Sequence, residues 1–300
     1  MSVKVSIEVF KELEPQDFRV LSAIELNMSR YEYVPSEAIS HFLGMDRDEL
    51  LFRISRLHRF KLILRRRIHV EGFALTYLGY DCLALNAFVK GGVLEALGPS
   101  LGVGKESDVY SALSPSQEAL VVKLHRLGRI SFRQTRRARG YVADRRHTSW
   151  LYQSRLAAER EYEALQFVFP KVPLVPKPIA QNRHAVVMSY FAGEQLLHCR
   201  VIDEPEQLMQ QILQAVKEIY TRLGIIHADL SEYNVLIKED GSFIIIDWPQ
   251  YVTHEHPDAR TLIERDIKTI CSFFYHKFSV KVDPKHELNF LGEQPHLPQT

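Results

Sequence analysis

Apolar residues recur at helical spacing three times within the first ninety positions. Phe18, Leu21, Ile24 and Met28 mark one face. Ile39, Phe42 and Leu43 mark a second, opened by Pro35-Ser36-Glu37 and closed by Gly44. Asp46 with Glu49 three residues on has the form of a capping box and opens a third helix carrying Leu50, Ile54 and Leu57. Two β-like runs follow, 62–66 and 74–77, around the turn residues Glu71-Gly72. Helix, helix, turn, helix, hairpin is the order of a winged helix, whose third helix can enter a nucleic-acid groove.

The pattern changes across a seam holding Gly91, Gly92, Gly98, Pro99 and Gly102. We place a winged helix-turn-helix domain over 1–90 and a second domain over 91–300. The second begins with strands at 109–113 and 119–124, a helix over 150–169 and a strand over 185–191. Leu208, Ile212, Val216, Ile219 and Leu223 mark a long helix ended by Gly224. A hairpin over 235–246 turns at Asp240-Gly241, and Ile263, Ile267, Ile270 and Phe274 mark a last helix. Strands followed by helices give an α+β class, with one lobe near 100–191 and another near 192–300.

Composition narrows the function. The chain is 46% hydrophobic and 25% charged with a net charge of +1, an ordinary globular balance rather than a basic nucleic-acid binder's. Three scattered cysteines, Cys82, Cys199 and Cys271, argue against a zinc site or a disulfide framework and for a reducing compartment. No apolar run is long enough to span a bilayer and no secretory leader is read, so a cytoplasmic location without a membrane partner is expected. Charge is concentrated locally. Arg47, Arg53, Arg56, His58 and Arg59 lie on the third helix and Arg65, Arg66 and Arg67 on the hairpin. Of these, Arg53, Arg56, Arg65 and Arg66 are the nucleic-acid candidates. Between 128 and 148 stand seven arginines, including Arg133, Arg136 and Arg137, against Asp144, with Phe132 and Tyr141 interleaved as base-stacking candidates.

Four features occur in one chain order. Gly102-Val103-Gly104-Lys105-Glu106-Ser107-Asp108-Val109 is a glycine turn whose backbone, with Lys105 and Ser107, can approach phosphates; Glu106 after Lys105 excludes a P-loop. Lys123 ends the apolar run Val121-Val122 and is placed to hold phosphates, oriented by Glu161 or, failing that, Glu159. His227-Ala228-Asp229-Leu230-Ser231-Glu232-Tyr233-Asn234 has the spacing of a phosphotransferase catalytic loop. Asp229 would accept or orient the nucleophile's proton, and Asn234 would reach a metal. Asp247 ends the apolar run Ile244-Ile245-Ile246, where a buried carboxylate needs a partner or a metal ion. Asn234 and Asp247 can therefore share Mg²⁺ bridging nucleotide phosphates.

These residues together resemble the RIO family of atypical kinases, in the subfamily with an N-terminal winged helix. "GVGKESDVY", "VVKLHRLGRISFR", "IIHADLSEYNVLI" and "IIIDWPQYV" carry the likeness. The resemblance implies a trimmed two-lobed kinase-like domain and cofactors ATP and Mg²⁺ (or Mn²⁺). It assigns Lys123 to the phosphates, Asp229 to catalysis, Asn234 and Asp247 to the metal, and Met188, Ser189 and Phe191 to an adenine-holding hinge. It further implies autophosphorylation, a phospho-aspartate at Asp247, and partners in the small ribosomal subunit precursor and its rRNA. Val103, Ala228, Trp248 and Ser189 depart from the family's usual glutamate, glycine, phenylalanine and hinge glutamate. Only 53 residues follow Asp247, which leaves little chain for a peptide-holding segment and resembles archaeal members. A conventional serine/threonine kinase acting on proteins in trans, a nucleotide-sensing nucleic-acid regulator and an aminoglycoside-type phosphotransferase are the competing readings.

Overall fold

A computed structural model describes residues 3–67, 71–127, 150–282 and 287–288. The chain divides into two compact units, the first Met1–Ala158 with Ala180–Ala185, the second Glu159–Ile179 with Val186–Thr300.

The first unit opens with α1 (Val3–Glu12), α2 (Pro15–Asn27), β1 (Val34–Pro35), α3 (Ser36–Leu43) and α4 (Arg47–Arg59). The hairpin β2 (Ile63–Arg67) and β3 (Glu71–Leu75) and then α5 (Tyr77–Lys90) follow. The strands form an antiparallel sheet in the order β1-β3-β2. Val20, Leu21 and Ile24 of α2 pack with Ile39, Leu50, Leu57 and Phe73 in one core. The expected winged-helix elements are thus present, with three corrections, the first that Glu71 and Gly72 lie in β3, paired with Arg67 and Arg66, and not in the turn. Asp46 caps α4 through the Asp48 amide at 2.9 Å, while Glu49 turns to the Arg53 Nε at 2.7 Å, so no capping box forms there. The reciprocal box belongs to Glu14 and Asp17 at the start of α2. Tyr77 opens a helix instead of ending a strand, because Thr76 caps it by accepting from the Gly79 amide.

Three further strands belong to this unit: β4 (Ala96–Val103), β5 (Ser107–Leu113) and β6 (Ala119–His125). They pair antiparallel with β5 in the middle. The seam is therefore partly a strand. Pro99 and Gly102 are tolerated because β4 is irregular, with register shifts between Leu97 and Ser100 and between Ser100 and Gly102.

The helix α6 (Trp150–Val168) and the hairpin β7 (Pro178–Asn182) and β8 (Ala185–Ser189) run through the division between units. In the second unit α7 (Pro205–Leu223) buries Leu208, Ile212, Leu213 and Ile219 and ends at Gly224, whose φ of 65° suits the left-handed cap. The same unit holds a small sheet in the order β12 (Phe243–Ile245), β11 (Val235–Ile237), β9 (Glu194–Gln195) and a two-stranded pairing of β10 (Ile225–Ile226) with β13 (Val252–Thr253). Helix α8 (Ala259–Phe278) buries Ile263, Ile267, Ile270 and Phe274. The α+β class holds. Among the described residues, no helix is long and apolar enough to cross a membrane.

Candidate active site

The loop between β10 and β11 carries Asp229 and Asn234. Asn234 is buried, and its Nδ2 donates to the Asp229 carbonyl at 2.8 Å, which closes the loop on itself. Its amide oxygen is thereby left as the side chain's acceptor. Asp229 is exposed. Ala228, just before it, sits at φ 63°, a left-handed conformation that costs an alanine about 1 kcal/mol.

A carboxylate that the sequence reading missed fixes this strained turn. Asp266 of α8 accepts from the Ala228 amide at 2.7 Å and the Leu230 amide at 3.1 Å. Burial pushes its carboxyl up to about 7, against the two amide donors, which pull it down. The signal was present: an aspartate beside Ile263, Ile267 and Ile270 on a buried helical stripe must have a dedicated partner. Arg265 adds a guanidinium bond to the Ala228 carbonyl.

Asp247 follows β12 and is also left-handed, at φ 69°. Its neighbours hold it there. The Ile246 amide donates to the Asn234 carbonyl at 2.9 Å, which ties the two candidate metal ligands to one backbone bridge. His227 Nε2 lies 2.9 Å from the Ile246 carbonyl, so that nitrogen carries the proton. Trp248 is buried, with its indole N–H on the Ile245 carbonyl at 2.9 Å and its ring 4.6 Å from that of His227. Buried Glu161 receives the Trp248 amide at 3.3 Å. Arg160 donates to the Pro249 carbonyl at 3.1 Å and to that of Tyr251. Trp248, Pro249 and Tyr251 are thus each hydrogen-bonded to other parts of the second unit. A carboxylate and an amide oxygen are hard donors, suited to Mg²⁺ completed by phosphate oxygens and water. Among the described residues there is no set of three His, Cys, Asp or Glu side chains that would cage a metal alone.

Of the hinge candidates, Met188 is buried and Ser189 is already occupied. The Ser189 amide donates to the Lys177 carbonyl at 2.9 Å and its hydroxyl accepts from the Lys177 amide at 3.0 Å. Phe191 lies under the Lys238 ammonium at 4.5 Å. All of these residues belong to the second unit.

The first unit holds the other candidates. Gly102 lies exposed near the end of β4, Gly104, Lys105 and Glu106 form the exposed turn between β4 and β5, and Ser107 opens β5. The Gly104 amide bonds the Ser107 carbonyl at 2.8 Å. An added Cβ would meet nothing within 4 Å at Gly102, so that glycine leaves an open approach to the backbone. Lys123 is 7% exposed on β6 and pairs in register with Val109.

Two nucleic-acid candidates are corrected. Arg53 is 8% exposed, with Nη1 on Glu14 at 2.6 Å and on fully buried Asp17 at 3.4 Å. Arg56 joins the same acids at 3.2 and 3.3 Å. Both guanidiniums are turned inward, because the buried Asp17 carboxylate needs them more than solvent does. Arg65 and Arg66 stay half exposed on β2, paired to Glu71 and Glu32. Arg133, Arg136 and Arg137, and the rest of the basic 128–148 stretch, lie outside the described residues.

A winged helix ahead of a kinase-type catalytic loop and a strand-end aspartate define a phosphotransferase of the protein-kinase kind. Comparison with known proteins makes this specific. The RIO domain matches residues 108–286 and the Rio2 N-terminal domain residues 10–91. The RIO-type serine/threonine-protein kinase Rio2 of Methanocaldococcus jannaschii is 43% identical over 271 residues, 89% of this chain and 98% of that protein. The serine/threonine-protein kinase rio2 of Schizosaccharomyces pombe is 36% identical, over 94% of this chain and 82% of its own. The crystal structure of the Rio2 kinase-ADP/Mg²⁺-phosphoaspartate complex from Chaetomium thermophilum superposes with a TM-score of 0.83 at 31% identity, covering 96% of this chain and 89% of that one. The chain belongs to the RIO family of atypical serine/threonine kinases, in its Rio2 branch.

Proposed function

We propose that the chain is an ATP- and Mg²⁺-dependent kinase and ATPase that phosphorylates itself and acts on the precursor of the small ribosomal subunit. The observation that carries the chemistry is the bridge of Asn234 to Asp229 and of Ile246 to Asn234, which holds a candidate base and two candidate metal ligands in one hydrogen-bonded frame. In this reading Lys123 and the Gly102–Gly104 turn hold the phosphates, and Asn234 and Asp247 hold the metal. Mg²⁺ held by Asn234 and Asp247 would supply positive charge beside the phosphoryl oxygens. Asp229 orients the attacking hydroxyl or water. The γ-phosphoryl leaves the β–γ bridging oxygen, ADP departs, and the group passes to water or to an Asp247 carboxylate oxygen. The phosphoaspartate of the Chaetomium complex supports an aspartate as acceptor.

The ribosomal assignment rests on the family likeness and on the exposed Arg65 and Arg66, and a cytoplasmic location is proposed with it. ATP turnover by the full chain with and without small-subunit rRNA tests it. Stimulation by the rRNA, and not by an equal mass of unrelated duplex, is the expected result. Stimulation by a protein acceptor alone would favour a kinase acting in trans.

A further inference from the structure

The glycine turn is gripped by one residue from two directions. The Arg126 amide donates to the Glu106 carbonyl at 2.6 Å, and the Arg126 Nε donates to Asp108 at 2.9 Å. The rest of the guanidinium forks onto Asp81 of α5, at 2.7 and 2.9 Å. Asp81, Asp108 and Arg126 are each at most 4% exposed. A fully buried imidazole completes the group: His184 lies 2.8 Å from Asp81, stacked on Tyr80 with ring centroids 4.6 Å apart. Tyr77, also on α5, lies 5.0 Å under the guanidinium and donates its hydroxyl to the Leu127 carbonyl at 3.1 Å.

The other residues of α5 are not part of the kinase-type sheet. Tyr80, Cys82 and Leu83 belong to the core of the winged helix. One helix therefore joins that core to the base of the turn, through a bidentate ion pair whose geometry lysine cannot reproduce. Stability alone is a weak reason for such a group, since a buried ion pair is often matched by an apolar replacement. Its contacts are directional instead, ending at Glu106 and Asp108 on either side of Ser107.

We propose that Asp81 and Arg126 are positioning residues that set the glycine turn for nucleotide, so that the winged helix is a structural part of the nucleotide site. This rests on the reading of that turn as a phosphate contact. A second tie of the winged helix provides an internal comparison. Glu25 of α2 pairs with Arg183 at 2.8 and 2.6 Å, but neither residue touches the turn.

The test uses the full chain, with mant-ADP and Mg²⁺ as binding probe, ATP turnover, thermal denaturation, and hydrogen exchange of the 100–108 segment. Asp81→Asn and Arg126→Lys should each raise the mant-ADP Kd and the KM for ATP about tenfold, leave kcat within about twofold, and speed exchange in the turn. Glu25→Gln should lower the Tm while leaving the Kd unchanged. If Asp81→Asn does not fold, Arg126→Lys carries the comparison. The proposal is overturned if these variants raise the Kd no more than Glu25→Gln does, or if kcat falls in step with Tm while KM stays put. Failure of the wild type itself to bind mant-ADP would instead remove the nucleotide reading.

Discussion

Ala228 takes a backbone conformation that its Cβ resists, and it does so at the position next to the candidate catalytic aspartate. Strain of this kind persists only where surrounding bonds impose it, here from Asp266 and Arg265. Ala228→Gly should relieve it and raise stability by at most about 0.5 kcal/mol, less than the full strain because glycine also frees the unfolded chain; denaturant unfolding checks this. Asp266 supplies a pH signature. Its carboxyl titrates near 7 when folded against an ordinary 3.8, so the folded state binds that proton more tightly. Its stabilising contribution is fully present below about pH 4 and is lost as pH rises through about 7. The Tm of the wild type should therefore fall between about pH 5 and pH 8 more steeply than that of Asp266→Asn. A parallel decline in both proteins would assign the dependence elsewhere. The spacing from His227 to Asn234 was legible because the chemistry needs residue types at fixed offsets. Asp266 went unread because its role depends on where a distant helix packs.

At the scale of elements, α4 shows how a correct helix can be given a wrong face. Its apolar period predicted the helix, and its arginines suggested a groove-reading surface. Arg53 and Arg56 instead neutralise Asp17, which lies thirty-six residues before Arg53 and is fully buried. Composition cannot reveal which side of a helix meets a buried acid. Arg53→Ala should cost about 2–3 kcal/mol, moderated because Glu14 and Glu49 are partly solvated. Arg65→Ala and Arg66→Ala should stay within about 0.5 kcal/mol of wild type while weakening any RNA contact and its salt slope. Chemical denaturation and filter binding separate the two classes. Helix α5 escaped the sequence reading for a different reason. It buries Tyr80, Cys82, Leu83, Ala84, Leu85 and Phe88, leaving little of the one-sided period that marks a helix. Strand β4 escaped because glycine and proline mask an irregular strand.

At the scale of the whole chain, two domain families in sequence make a RIO kinase of the Rio2 branch, and the order of motifs already carried that likeness. The local spacing of Asp229, Asn234 and Asp247 was legible, whereas the bonds that hold them required the fold. The central claim is that these three residues form a working phosphoryl-transfer site. Labelling the full chain with [γ-³²P]ATP and Mg²⁺ tests it most directly, comparing wild type with Asp229→Asn and Asp247→Asn, which keep the shapes and remove the charges. The wild type should release phosphate and carry hydroxylamine-labile label, Asp247→Asn should carry none, and Asp229→Asn should turn over more slowly by about 10²–10⁴-fold. Turnover and labelling of both variants at the wild-type rate would contradict the account.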